Sequence, residues 1–198
     1  MGKCPAIVLT GGPCGGKTTL MGELRAEDPH AQRWIMVPEA APLLFQAGLD
    51  GRRKEFQKAV VRLQIAQEDA CAEAARPGQV LLCHRGTLDP LAYWLRNGRD
   101  ETEFFALIKR SCADQLQHYA GVIRLQTAAI GAEAFYRRWP DAHRLETVAQ
   151  AAEIDRLCGR VWSKHRHYVV IENDGRDWRN KSLAAQTVLA QWLALDNE

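Results

Sequence analysis

The sequence predicts an α/β fold, a doubly wound parallel sheet of five strands with flanking helices. Three observations predict it. Five short apolar runs alternate with helix-length segments along the whole chain. Each run is apolar without strict polar alternation, as strands buried on both faces require. A glycine-rich turn joins the first run to the first helical segment.

Residues 5–10 (PAIVLT) form the first strand, and a helix follows from Lys17 to about Glu27. Residues 33–38 (RWIMVP) form the second strand. Residues 54–76 predict a long amphipathic helix with Phe56, Ala59, Val60, Leu63, Ala66 and Ala70 on one face, stopped by Pro77-Gly78. Residues 79–83 are the third strand, and Asp89-Pro90 predicts an N-cap followed by Pro at the first helical position, with a helix over 90–97. A helix over 101–118 leads to the fourth strand, 121–126. Helices over 132–139 and 146–165, a strand over 168–172 and a helix over 179–195 complete the chain. No linker interrupts it, so residues 1–198 are expected to form one domain.

The 198 residues match a usual single-domain length of roughly 100–200 residues. Hydrophobic residues are 46% and charged residues 25%, which excludes disorder and collagen-like repeats. Lys and Arg number 26 against 24 Asp and Glu, a net +2 that makes no global electrostatic case for nucleic acid. None of the six cysteines falls in a C-x-x-C pair, which excludes zinc-ribbon and thioredoxin readings. They read instead as small hydrophobes in a reducing, cytoplasmic compartment. No apolar stretch approaches the roughly 20 residues of a membrane span, and no secretory signal is expected.

The strongest motif lies in residues 5–20, PAIVLTGGPCGGKTTL. Gly11, Gly16, Lys17 and Thr18 fit G-x-x-x-x-G-K-[ST], the phosphate loop. Glycines let the backbone turn several N–H groups inward, where they and the helix N-terminus meet phosphate oxygens. Gly11, Gly12, Gly15, Gly16, Lys17, Thr18 and Thr19 are therefore the candidate nucleotide-binding residues. Lys17 reaches the β and γ phosphates, and the Thr18 hydroxyl is the candidate Mg²⁺ ligand. A buried strand before and a helix after distinguish this match from a chance glycine-rich turn.

Four further segments bear on the chemistry. Glu39 follows the second strand, where a carboxylate serves either as general base toward an acceptor hydroxyl or as a favourable charge at a helix start. His84 and Arg85 end the third strand, where many P-loop enzymes place an acid that orients Mg²⁺. Imidazole nitrogen suits Mg²⁺ poorly, so His84 reads first as a hydrogen-bonded strand-end residue, with Asp89 as a possible helper for the metal. Arg85 is expected to clamp a phosphate or an acceptor. Arg137, Arg138, His143 and Arg144 concentrate after the fourth strand, at the place of a phosphate-stabilising lid, a reading that competes with a solvated basic helix face. Asn173, after the last strand, is either a contact to the nucleotide base or part of an Asn-Asp-Gly turn.

TGGPCGGKTT, VPEAA, HRGTLDPLAYW and RLETVAQAAEIDRLCGRVWSKHRHYVVIEND, in this order, resemble one P-loop family. It includes the nicotinamide-riboside kinase domain of bacterial NAD regulators and the TRPL-translocation-defect proteins, grouped broadly with AAA-type ATPase domains. The resemblance runs from about residue 4 to 195. It implies a P-loop NTPase, nucleoside-kinase-like fold with a short lid, and binding of ATP or GTP with Mg²⁺. The VPE segment looks like the strand-2 Glu of deoxynucleoside kinases, which gives Glu39 the role of base on a sugar hydroxyl. The acid-Arg pair after strand 3 falls on His84-Arg85, so Arg85 matches and His84 departs from the D-R-G of relatives.

The expected activity is transfer of the γ-phosphoryl group of ATP to a hydroxyl of a small, nucleoside-like molecule. Lys17, Glu39, Arg85, Arg137 and Arg138 are the candidate catalytic residues. The alternative is an ATP- or GTP-binding regulatory switch that hydrolyses slowly and has no acceptor. A ring-forming motor is disfavoured, because 198 residues leave no room for its extra helical domain.

Overall fold

The structure, a computed structural model, describes residues 4–137, 146–175 and 177–195. Its elements run β1 (Ala6–Thr10), α1 (Lys17–Glu27), β2 (Trp34–Val37), α2 (Ala40–Gln46), α3 (Lys54–Glu73), β3 (Val80–His84), α4 (Asp89–Arg96), α5 (Glu101–Ile108), α6 (Cys112–Gln117), β4 (Gly121–Leu125), α7 (Val148–Trp162), β5 (Tyr168–Ile171) and α8 (Trp178–Leu195). A 3₁₀ turn covers Glu133–Phe135 between β4 and α7. The sheet is parallel throughout, in the order β2-β3-β1-β4-β5. This is a doubly wound, P-loop kinase-like α/β fold, as the alternation of strands and helices predicts.

The strand pleat divides the core in two. Val8, Leu81, Cys83 and Val122 point to one face and pack with Val61, Leu91, Trp94, Ile154 and Trp162 of α3, α4 and α7. Ile7, Leu9, Leu82, Ile123 and Leu125 point to the other, against Leu20 and Leu24 of α1 and Ala185 and Leu189 of α8. Each such side chain, fully buried, contributes about 1.5–3 kcal/mol of transfer free energy. Both faces of every inner strand are covered, which is why those strands read as unbroken apolar runs.

The chain leaves β1 toward β2 and leaves β3 toward β4, so the winding direction reverses between the adjacent strands β1 and β3. Such a switch point opens a crevice at the carboxyl ends of the strands. Register sets Leu9 beside His84 and Thr10 beside Arg124, so the segments after β1, β3 and β4 emerge together.

The structure corrects several expected elements. The helix expected over 101–118 is two helices. Lys109 adopts a left-handed φ of 57° and ends α5, and a Ser111–Asp114 capping box starts α6. Asp89 is the first residue of α4 rather than its N-cap, and its carboxylate instead accepts the Gly86 N–H at 3.0 Å. The helix expected over 132–139 is only the 3₁₀ turn, followed by an extended Tyr136. Arg138, His143 and Arg144 lie outside the described residues. On α3 the buried residues are Phe56, Gln57, Val61, Gln64 and Glu68, whereas Ala66 and Ala70 are exposed. The apolar stripe pointed to the wrong face, because this helix buries polar side chains with specific partners.

Candidate functional site

The loop after β1 wraps the N-terminus of α1 as the motif requires. Gly11 has φ +118°, and a Cβ there would stand 2.2 Å from the Leu125 carbonyl oxygen. Only glycine permits that approach to β4. The loop is held from behind by α7: Asp155 Oδ1 accepts the main-chain N–H groups of Gly12 at 2.8 Å and Thr127 at 3.1 Å. The Thr127 hydroxyl donates to the Pro13 carbonyl.

Lys17 is folded back into the loop and 5% exposed, donating from Nζ to the Gly11 and Gly12 carbonyls at 2.9 Å each. Burial, aided by the nearby Arg85 cation, lowers its ammonium pKa to about 8. Thr18 and Thr19 are exposed at the mouth of the loop.

A chain of contacts joins Thr18 to the ends of β2 and β3. Thr18 Oγ1 lies 3.0 Å from His84 Nε2. His84 Nδ1 lies 3.3 Å from Glu39 Oε2, an electrostatic contact that is not aligned as a hydrogen bond. Arg85 Nε donates to Glu39 Oε1 at 2.7 Å. Arg85 Nη1 donates to the Gly11 carbonyl at 3.0 Å and to Asp89 Oδ1 at 2.9 Å, and Nη2 donates to the Tyr93 hydroxyl at 3.0 Å. Arg85 itself has φ +71°, a left-handed conformation that costs a non-glycine residue about 1–3 kcal/mol and that these bonds hold in place.

These contacts set the charges. Burial alone would raise the Glu39 pKa, but Arg85, His84 and Lys17 outweigh it and hold the carboxyl at about 2. Glu39 is therefore ionised throughout the neutral range. Burial dominates at His84 and lowers it to about 4 against the pull of Glu39, so its imidazole is neutral. Arg85 remains charged despite burial, because Tyr93, Glu39 and Asp89 surround it.

Asp89 is 1% exposed and saturated. Besides Arg85 and Gly86 it accepts the Thr10 hydroxyl at 2.7 Å and the Trp162 indole N–H at 3.0 Å. The expected metal helper is thus an anchor between β1, α4 and α7.

One cavity takes in both halves of the site. The loop from Pro13 to Thr19 lines it together with Glu39, His84 and Arg85 and with Phe45, Phe56, Gln57, Gln64 and Tyr93. Phe45 and Phe56 stack at 4.6 Å between ring centroids. Gln64 donates to Glu68 Oε1 at 2.7 Å and more weakly, at 3.3 Å, to the Arg85 carbonyl. Glu68 also holds Tyr119 and His118, whose hydroxyl and Nε2 lie 3.1 and 2.9 Å from its oxygens.

Of the residues expected from sequence, the structure brings Lys17, Thr18, Glu39 and Arg85 into this cavity with Gly15, Gly16 and Thr19. Arg137 is exposed, and its carbonyl accepts from Cys14 Sγ at 3.1 Å, which sets it beside the loop. Arg138 is outside the described residues. Asn173 lies away from this cavity. Its amide donates to the Thr127 and Ile130 carbonyls at 2.8 and 2.7 Å, and its Oδ1 accepts from Lys181 at 2.9 Å, tying the loop after β4 to α8.

Gln57, Gln64, Tyr93 and Asp155 escaped the sequence reading. The signal for the glutamines was there: Gln57, Gln64 and Glu68 recur at helical spacing with Val61 between them. Thr18 Oγ1, exposed at the mouth of the loop, could hold Mg²⁺, a metal that binds through one or two protein oxygens plus phosphates and water. Among the described residues no cluster of three His, Cys, Asp or Glu could hold a metal by itself.

Two solved structures of deoxyadenosine kinase from M. mycoides share the fold. The one with bound dATP aligns at TM-score 0.60 and 12% identity over 93% of this chain and 99% of that one. The one with products dCMP and a flexible dCDP aligns at 0.62 and 12% over 94% and 99%. No protein of curated function matches the sequence. The sequence profile of the family described as AAA domain matches residues 6–181, and the chain belongs to that family.

Proposed function

We propose that this chain is a P-loop phosphotransferase that moves the γ-phosphoryl group of ATP to a hydroxyl of a nucleoside-like small molecule. The observation that carries the proposal is the shared cavity, lined at once by the phosphate loop, by aromatic and amide side chains and by the Glu39 carboxylate. The likeness to a deoxyadenosine kinase supports a nucleoside-like acceptor. So do stacked rings beside amide side chains, which suit a flat heterocycle with a hydrogen-bonding edge. The finer kinship with nicotinamide-riboside kinase domains belongs to the same proposal.

Lys17 and the main-chain N–H groups where the loop runs into the first turn of α1 bind the triphosphate. The Gly12 N–H is committed to Asp155 and Pro13 has none, so the donors come from Gly15 to Thr19. Glu39 accepts a hydrogen bond from the acceptor hydroxyl and aims its oxygen at the γ-phosphorus. With a pKa of about 2, Glu39 is a weak base, so it takes the proton only as the new O–P bond forms and the bond to the leaving diphosphate breaks. Arg85 holds Glu39 in place, and three more of its five N–H groups donate to Gly11, Asp89 and Tyr93. Arg137, together with Arg138 beyond the described residues, is assigned to stabilising charge on the transferring group. Thr18 would hold Mg²⁺, which when bound would supply charge neutralisation for the triphosphate. A single domain in a reducing, cytoplasmic compartment, without a membrane or nucleic-acid partner, belongs to the same proposal.

The test is ADP release from Mg-ATP with and without pooled nucleosides, beside Lys17→Ala. Nucleoside-dependent release in the wild type alone supports the proposal. Nucleotide binding with no pool-dependent release favours a nucleotide-operated switch instead.

A further inference from the structure

A nitrogen base stands where the metal-orienting acid of a phosphate-loop enzyme is expected, yet the geometry around it is complete. His84 is 8% exposed, and its Nε2 is the partner the structure gives the Thr18 hydroxyl, at 3.0 Å. The other ring nitrogen, Nδ1, is buried and faces Glu39 Oε2 at 3.3 Å. Glu39 is an ion pair partner of Arg85 and hence a pure acceptor.

A neutral imidazole carries one proton, and the two placements are not equivalent here. With the proton on Nε2, that N–H would consume a lone pair of Thr18, and a bare Nδ1 would face a carboxylate oxygen. With the proton on Nδ1, the N–H faces the anion and Nε2 is free to accept from Thr18. The second placement removes the lone-pair clash, turns the Nδ1 proton toward the carboxylate charge and leaves Nε2 to accept from Thr18. Once Thr18 donates its only proton inward, both lone pairs of its oxygen point out toward the phosphates. Asp89 cannot take that proton instead, since Thr10, Arg85, Gly86 and Trp162 already occupy it.

We propose that His84 is a positioning residue that works as the Nδ1–H tautomer, taking the Thr18 hydroxyl proton at Nε2 so that Thr18 presents its lone pairs to the divalent cation of a bound nucleotide. This rests on the phosphotransferase reading of the same site. It makes the imidazole a neutral substitute for the usual acid, oriented by the carboxylate that serves the acceptor. The two halves of the site are thereby linked through one ring.

The test uses Mn²⁺ as the probe, with a non-hydrolysable ATP analogue and the full chain. Mn²⁺ affinity is read by electron paramagnetic resonance, and nucleotide affinity is read separately in EDTA. His84→Ala should weaken Mn²⁺ binding about tenfold or more, in line with loss of a group that orients a metal ligand, and leave metal-free nucleotide affinity unchanged. His84→Gln, whose amide oxygen can accept from Thr18, should recover most of the loss. In ¹⁵N spectra of the wild type, the histidine signal that vanishes in His84→Gln should show a protonated Nδ1 and a bare Nε2. An unchanged Mn²⁺ affinity in His84→Ala, or a protonated Nε2, overturns the inference while the phosphotransferase reading stands. A wild type that binds no nucleotide at all overturns that reading first, and this inference with it. Should His84→Ala fail to fold, the wild-type tautomer decides alone.

Discussion

Asp155, halfway along α7, accepts the main-chain N–H of Gly12 at 2.8 Å across 143 positions of sequence. The same oxygen takes the Thr127 N–H, so one buried carboxylate pins the phosphate loop to the segment after β4. Asp155→Ala should leave two buried N–H groups unpaired, at about 1–3 kcal/mol each. We expect the melting temperature to fall by about 5–10 °C, with weaker nucleotide binding as the loop loosens. Asp155→Asn keeps an acceptor oxygen and should lose much less. Equal losses in the two variants would show that charge, not the pair of hydrogen bonds, does the holding.

The Glu39–Arg85 pair separates binding from transfer. Glu39→Gln keeps the shape but removes the anion that orients the acceptor hydroxyl. Turnover should fall by about 10²–10⁴-fold, the usual reach of a general base, while nucleotide affinity holds. Arg85→Lys cannot reproduce a fork bound to Glu39, Gly11, Asp89 and Tyr93 together. It should lose turnover and stability alike. Wild-type turnover in Glu39→Gln would remove Glu39 from the reaction.

Much of the arrangement was legible because backbone chemistry dictates it. The phosphate loop announces itself through glycines and a Lys-Thr pair at fixed spacing, and the inner strands through runs apolar on both faces. Glu39 and Arg85 sit just past strand ends, where the crevice of a parallel sheet must lie, and Lys17 opens α1 beside them. What escaped depends on contacts that sequence does not order. Asp155 is one acid among many on a helix until α7 is docked beside Gly12. Gln57 and Gln64 broke an expected apolar face, because the cavity and the Glu68 network need polar groups there. The single helix expected over 101–118 split at Lys109 because the Ser111 capping box outcompetes continuation.

The polar stripe of α3 should set acceptor choice. Gln57 is 7% exposed and Gln64 2%, and both line the cavity that the phosphate loop also lines. Gln57→Leu removes a hydrogen-bonding amide without emptying the wall. If a heterocycle edge is read there, kcat/KM for the preferred acceptor should drop by about 10–100-fold, while the KM for ATP stays constant. Equal effects on all acceptors would indicate a packing role for the amide. Gln64→Leu also strips a partner from Glu68 and should cost stability as well, so the pair distinguishes recognition from support.

Lys17 gives the site a pH limit on its alkaline side. Its ammonium pKa is lowered to about 8 in the unliganded protein, because burial and Arg85 oppose the charge. A triphosphate brings several negative charges to Nζ and must raise that pKa on binding. The protonated form therefore binds preferentially, and nucleotide uptake at pH 8.5 to 9 should draw in a proton. Calorimetry in buffers of different ionisation enthalpy measures that proton directly. Affinity should fall as pH rises above about 8, by about tenfold per unit until the liganded pKa is reached. Stability of the unliganded protein has the opposite sign. Between about 8 and the ordinary lysine range the unfolded chain binds more protons than the folded one, so this group makes the fold more stable as pH rises. Lys181, also lowered to about 8 by burial, contributes in the same direction, and the difference between wild type and Lys17→Met isolates the loop lysine. If proton uptake is absent in the wild type, Lys17 is not the group that meets the phosphates.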